Sequence, residues 1–169
     1  MMKRLARLRV PLGFLFAGLV LWLAQPTPRT LLAGAVIALL GEGIRIWAAG
    51  HLEKGREVTS SGPYALTRHP LYLGSSVIAA GVMLASNSLV VALAGTVYMV
   101  VTINAAIRTE EAFLRQAFGD TYDRYQRAEV EPMRRRFSLG RALRNREYRA
   151  VAGLCGGFAL LALKVVLPI

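Results

Sequence analysis

The chain has 169 residues, of which 54% are hydrophobic and 18% charged, with a formal net charge of +11. One domain is what this length suggests, but the composition is too apolar for an ordinary soluble domain, and it excludes a disordered or disulfide-framed chain. The basic excess does not argue for nucleic acid, because the cations lie between apolar runs, as they do in the loops of a polytopic membrane protein.

Met1 to Arg9 carries Lys3, Arg4, Arg7 and Arg9 ahead of an apolar run from Val10 to Ala24. A secretory leader has this outline, but Pro26-Thr27-Pro28 stands where a small-x-small cleavage site belongs, so the run is read as a first span. It is short for a span and should lean on its neighbours or thin the bilayer. Leu31 to Gly50 is a second span, interrupted by Glu42 and Arg45. Three apart, these two share a helical face and are expected to form a structural ion pair, with a polar wall beneath a site as the alternative. Gly34, Gly41 and Gly43 offer small surfaces for close helix packing.

His51 to Arg68 reads as the first large polar loop, with Glu53, Lys54, Arg56 and Glu57 in it and with His51 and Lys54 taken as solvated. Gly62-Pro63 is turn chemistry, and Pro70 biases His69 away from the helical region. A helix therefore starts at Pro70 with its first amides facing the loop, an end that suits a carboxylate or another anion. Beside it stand Arg68, His69, Tyr64 and Tyr72, with Gly74 one turn into the helix, where a backbone can meet a ligand closely. The alternative for this segment is a loop whose Arg, His and Tyr sit at headgroup level.

Leu71 to Ala85 is a third, short span, and Ser86-Asn87-Ser88 turns it into a hairpin with a fourth, Leu89 to Ile107. Asn104, Arg108 and Glu111 fall roughly on one face at the membrane boundary. Phe113 to Gln126 follows as an amphipathic surface stretch, broken near Gly119 and carrying Tyr122 and Tyr125, with the outline of a lid. Beyond Glu129-Val130-Glu131-Pro132 the chain turns basic: Arg134, Arg135, Arg136, Arg141, Arg144, Arg146 and Arg149 suit anionic headgroups. Ala150 to Leu167 is a fifth apolar run holding the single cysteine, Cys155, which leaves no intrachain disulfide and no cysteine metal site.

The expectation is an all-α polytopic membrane bundle, one integral domain over residues 1–169, with about five transmembrane helices plus a cytosolic amphipathic helix. With the N-terminus inside, Met1 to Arg9, His51 to Arg68 and Arg108 to Arg149 face the cytosol and hold 4, 3 and 11 of the 21 Lys and Arg residues. That asymmetry sets the orientation, and an inner (cell) membrane of a prokaryote is the expected location.

The string Thr59-Ser60-Ser61-Gly62-Pro63-Tyr64 and then Arg68-His69-Pro70-Leu71-Tyr72-Leu73-Gly74 resembles the signature of the isoprenylcysteine carboxyl methyltransferase family, whose relatives include the phospholipid N-methyltransferases. A second family element, a Glu pair followed by Phe-Gly-x-x-Tyr-x-x-Tyr, recurs as Glu110-Glu111 and Phe118 to Tyr125, so the resemblance covers about a quarter of the chain. It implies an S-adenosylmethionine-dependent methyltransferase, releasing S-adenosylhomocysteine, at the cytosolic membrane face, with no metal. It further implies that Tyr64, Arg68, His69, Pro70, Tyr72, Leu73, Gly74, Glu110 and Glu111 bind the cofactor. His69 and the amides near Pro70 to Leu73 would hold its carboxylate, and Glu110 or Glu111 its ammonium or ribose. Arg108 and Glu111 are the catalytic candidates, Arg108 orienting an anionic group of a lipidic or amphiphilic acceptor, with carboxylate O-methylation favoured. A carboxylate acceptor needs no base, whereas an amine or hydroxyl would need His69 or a glutamate. The competing expectations are a non-catalytic lipid-binding membrane protein and a sterol-reductase-like enzyme using NADPH.

Overall fold

The computed structural model describes residues 2–167, with side chains from residue 13 onward. Among these residues all regular structure is helical: α1 (Met2–Leu23), α2 (Pro28–Ala49), α3 (Pro70–Ser86), α4 (Leu89–Phe118), α5 (Asp120–Gln126), α6 (Leu139–Arg144) and α7 (Tyr148–Val166), with one 3-10 turn at Gly62–Ala65. The side chains of Lys3, Arg4, Arg7 and Arg9 lie outside the described set.

The ends of these helices follow from local sequence. Thr27 caps α2 by accepting from the Thr30 amide at 3.2 Å while the Thr30 hydroxyl accepts from the Thr27 amide at 3.0 Å, and Pro28 fills the first helical position. Proline likewise opens α3 at Pro70. Asn87, in the left-handed region at φ 49, ends it, and the Ser88 hydroxyl then caps α4. The expected stop of the fourth span at Ile107 does not occur. No breaker stands between Ile107 and Gly119, so α4 runs through to Phe118 and absorbs the first part of the supposed surface stretch. Its 30 residues make it about 45 Å long, more than the thickness of a hydrocarbon core.

α2, α4 and α7 are long and apolar enough to cross a membrane, whereas α3, at 17 residues, and the described part of α1, Gly13–Leu23, are apolar but shorter. The tightest contact is the antiparallel pair α2 and α3, whose backbones meet at glycines. A Cβ on Gly41 would stand 2.7 Å from the Gly74 carbonyl oxygen, and Gly34 meets Gly81 in the same way one level away. Gly43, expected in this role, has open space around it, since it lies off the stripe that Gly34, Ala38 and Gly41 form. α1 packs on α4, and α7 packs on α2 and more lightly on α3. Only Leu161 of α7 is buried, in a small apolar cluster with Ala24 and Ala85. At its far end the Lys164 ammonium donates to the carbonyls of Leu21, Trp22 and Ala24, at 2.7, 3.2 and 2.8 Å. It thereby satisfies the orphan C-terminal carbonyls of α1.

Candidate functional site

At the end of α2 the chain makes a polar loop, residues 50–69, and a second segment, residues 133–147, lies across it as a strap. Loop and strap are joined by charge. The Arg135 guanidinium makes a two-pronged pair with Glu57, at 2.5 and 2.9 Å, and also donates to the His51 carbonyl. Arg141 donates to Glu53 at 2.8 Å and to the Gly50 carbonyl, and the Asn145 amide donates to the carbonyls of Ala49 and Leu52, both at 2.9 Å. Thr59, Ser60 and Ser61 are buried within this network. Thr59 accepts from the Glu53 amide, Ser60 from the Met133 amide, and Ser61 bonds His51 Nδ1 at 3.1 Å. The first letters of the motif are therefore structural.

His51 is buried rather than solvated, its ring held against Gly62, whose φ of +57 lets the turn pass with no side chain in the way. Burial, followed by the Arg141 and Arg135 charges, pushes the imidazole below its usual 6.5. Lys54 is exposed, as expected, at the rim of the cleft described next.

Above the loop, the start of α3 and the C-terminal half of α4 enclose a cleft of about 610 Å³, within the size range of small-molecule sites. Tyr64, Arg68, His69, Pro70 and Tyr72 line it from one side and Glu110 from the other, with Tyr122 and Tyr125 of α5 over it. The two motif halves meet directly: His69 Nε2 lies 3.2 Å from Glu111 Oε1, and Arg68 lies 3.8 Å from the same oxygen. Glu111 is thus turned to the His69 ring, outside the cleft lining, while its neighbour Glu110 faces the cavity and makes no ion pair among the described residues. The Tyr125 hydroxyl donates to the Tyr64 carbonyl at 2.7 Å and closes the wall. The Tyr64 hydroxyl, itself buried, has no hydrogen-bond partner among the described residues, so a donor is left waiting in the wall. Burial, followed by the Glu110 charge, drives its phenol well above the usual 10, and burial pushes Tyr125 up to about 12. Both are neutral donors at physiological pH.

Besides Glu111, three expected site residues lie outside the cleft lining. Gly74 is buried against Gly41 and Arg45, so its missing side chain serves helix packing and not a ligand. Leu73 is half exposed on the other side of α3, and Arg108 is exposed on α4; neither lines the cleft, because positions 106, 109, 110 and 113 occupy the face that does. Asn104 turns back to the Val100 carbonyl of its own helix. The Glu42 and Arg45 pair is also revised. Their separation is 3.8 Å, and the short bond of Arg45, 2.6 Å, goes to Glu147 of the strap, with another to Ser75. Arg45, Asn145 and Glu147 form the floor of the cleft. Sequence reasoning missed Asn145 and Glu147, and the one signal available was a polar, acid-containing interruption just ahead of an apolar helix.

Residues 42–121 match the model of the phospholipid methyltransferase family. The chain is 28% identical over 96 residues to the protein-S-isoprenylcysteine O-methyltransferase of Schizosaccharomyces pombe, a match covering 57% of this chain and 41% of that one. The chain is isoprenylcysteine-methyltransferase-like. This methyltransferase-like chain is also 34% identical over 89 residues to the cobalt-zinc-cadmium resistance protein CzcN of Cupriavidus metallidurans, and 28% identical over 108 residues to the nickel-cobalt-cadmium resistance protein NccN of Alcaligenes xylosoxydans xylosoxydans. Those matches cover 52% and 63% of this chain, and 40% and 49% of the relatives, so the chain spans less than half the length of the curated relatives it matches. No solved structure matches. The matched segment of the methyltransferase-like chain contains the cleft walls of α3 and α4 but ends before α5 is complete, and the strap lies wholly outside it.

Proposed function

We propose that the chain transfers a methyl group from S-adenosylmethionine to a lipidic or amphiphilic acceptor at the cytosolic membrane face. The observation that carries this reading is the meeting of His69 with Glu111, which joins the two motif halves around one cleft beside apolar helices. The cofactor supplies an electrophilic methyl on a sulfonium. The donor set fits it: an orphaned buried phenol at Tyr64, an unpaired carboxylate at Glu110 for an ammonium or ribose, and the imidazole of His69 with the first turn of α3 for a carboxylate. Glu111 acts through His69, fixing the ring and, with Arg68, balancing charge at the wall. Tyr122 and Tyr125 cover the cavity and exclude water.

A carboxylate acceptor arrives ionised and needs no base, which suits a cleft in which Tyr64 and Tyr125 stay neutral and offer hydrogen bonds. Leu71, Ala106, Phe113 and Leu114 give one side of the cleft an apolar lining where an acyl or prenyl chain would lie. We also propose that α1 and α3 cross with α2, α4 and α7, giving five spans in the prokaryotic inner membrane with the loop, α5 and the strap in the cytosol.

Calorimetry of the detergent-purified protein with S-adenosylmethionine and, separately, NADPH tests the reading. Binding of the first alone is expected, and Glu110→Ala or His69→Ala should weaken it by about 1.5–3 kcal/mol, the range for a charge-assisted hydrogen bond. Binding of NADPH in preference would overturn the proposal.

A further inference from the structure

We propose that the strap is a docking surface for anionic phospholipid, held at the membrane boundary by its own inward-facing polar side chains. Position comes first. The strap is bonded to the last residues of α2, through Ser138 N to Gly50 O at 3.1 Å and through Asn145 to Ala49, and it runs straight into α7 at Tyr148. Both helices are long and apolar enough to span. The strap therefore crosses the level at which two spans leave the hydrocarbon.

Surface chemistry agrees. Phe137, Leu139, Leu143 and Tyr148 are 46%, 61%, 52% and 51% exposed within one short segment, a cluster of apolar surface of the kind that marks an interface, and Trp47 near the end of α2 adds an aromatic of the kind that sits at headgroup depth. Leu139 and Leu143 are four apart on α6 and share one face. Interleaved with them, Arg134, Arg136, Arg146 and Arg149 are exposed and form no ion pair among the described residues.

The seven arginines of the basic run divide by role. Arg135 and Arg141 spend their charge on Glu57 and Glu53 and fix the backbone, and Arg144 lies 3.6 Å from Glu53. The turn into α7 is fixed too, with Asn145 on two carbonyls, Arg146 in the left-handed region at φ 62 and Glu147 on Arg45. The four free guanidinium groups thus project from a backbone that has little freedom to lose on binding, and opposite charge at the headgroups is their match.

The test uses the full chain in vesicles of phosphatidylcholine alone and of phosphatidylcholine with phosphatidylglycerol. A fluorophore on Leu143→Cys, in a Cys155→Ser background, is expected to be quenched by headgroup-proximal nitroxide lipid in both. Phosphatidylglycerol retained by the purified protein in native mass spectrometry is expected to fall about fivefold for each of Arg134, Arg136, Arg146 and Arg149 changed to Gln, with the thermal midpoint unchanged. An unquenched label would overturn the proposal by putting the strap away from the bilayer. Unaltered lipid retention in the quadruple variant would overturn it by showing that these arginines do not recognise the headgroup.

Discussion

The α2–α3 pair and α7 solve the same problem in opposite ways. In a bilayer, lipid tails are as apolar as leucine, so helices gain nothing from burying apolar surface against one another and need another reason to associate. α2 and α3 find it along their length, where glycines on both helices bring backbone against backbone. α7 has glycines as well, at 153, 156 and 157, but nothing lies within 4 Å of where their side chains would start. Instead it is fastened at its ends, by Glu147 to Arg45 and by Lys164 to the carbonyls that close α1. A small residue matters only where a partner backbone comes to meet it.

That contrast is most severely tested at Gly74. Gly74→Val would drive a branched side chain toward the Gly41 carbonyl, 2.7 Å from the new Cβ, and backbone cannot yield as a side chain does. A loss at or beyond about 3 kcal/mol is expected, seen as failure to purify a monodisperse protein. Glu147→Ala comes next. It strips Arg45 of its short partner in a largely buried setting, although Glu42 at 3.8 Å and partial exposure soften the effect, so about 2–3 kcal/mol should disappear from the thermal unfolding transition. An unchanged midpoint would mean that α7 is held by packing after all.

A smaller effect concerns the loop beneath the strap. The folded state depresses the His51 pKa, so its contribution is present above the unfolded value of 6.5 and is lost as pH falls through the lower folded value. The protection of amides in residues 50–61 relative to their intrinsic exchange rates should therefore fall below about pH 6.5, and His51→Gln should remove that dependence. The least effect is expected at Gly156→Ala, which meets open space and gains helix propensity, leaving stability level or up by as much as about 1 kcal/mol. A marked loss there would reveal a packing partner for α7.

How legible all this was depends on the range of each interaction. Pro70 and Asn87 mark helix ends because capping acts within four residues, whereas the cap at Thr27 is missed and the second span expected from Leu31 starts at Pro28. The meeting of His69 with Glu111 was readable because two motif fragments stood on either side of one helical hairpin. The Glu42 and Arg45 pairing shows the limit: their spacing puts them near each other, but the competing carboxylate is 102 residues away, where no periodicity reaches. Arg135 and Arg141 looked like surface charge for the same reason, since Glu57 and Glu53 lie 78 and 88 residues off. Thr59 to Ser61 was read as part of a binding segment, although these side chains are consumed in holding the loop. Gly74 and Arg108 missed the cleft by a rotation about their helices, which a sequence without a partner surface does not specify.

The clasp of Lys164 on α1 also sets an order of events during synthesis. Its three carbonyl acceptors are made some 140 residues before the ammonium that satisfies them. At ordinary translation rates that is a wait of roughly 7–30 s. Throughout that interval the C-terminal carbonyls of α1 must stay in water, in the headgroups or with the insertion machinery, and cannot be drawn into hydrocarbon. On the proposed five-span topology α1 is therefore seated for good only when α7 arrives, and a ribosome stalled before residue 164 would leave α1 still free to withdraw.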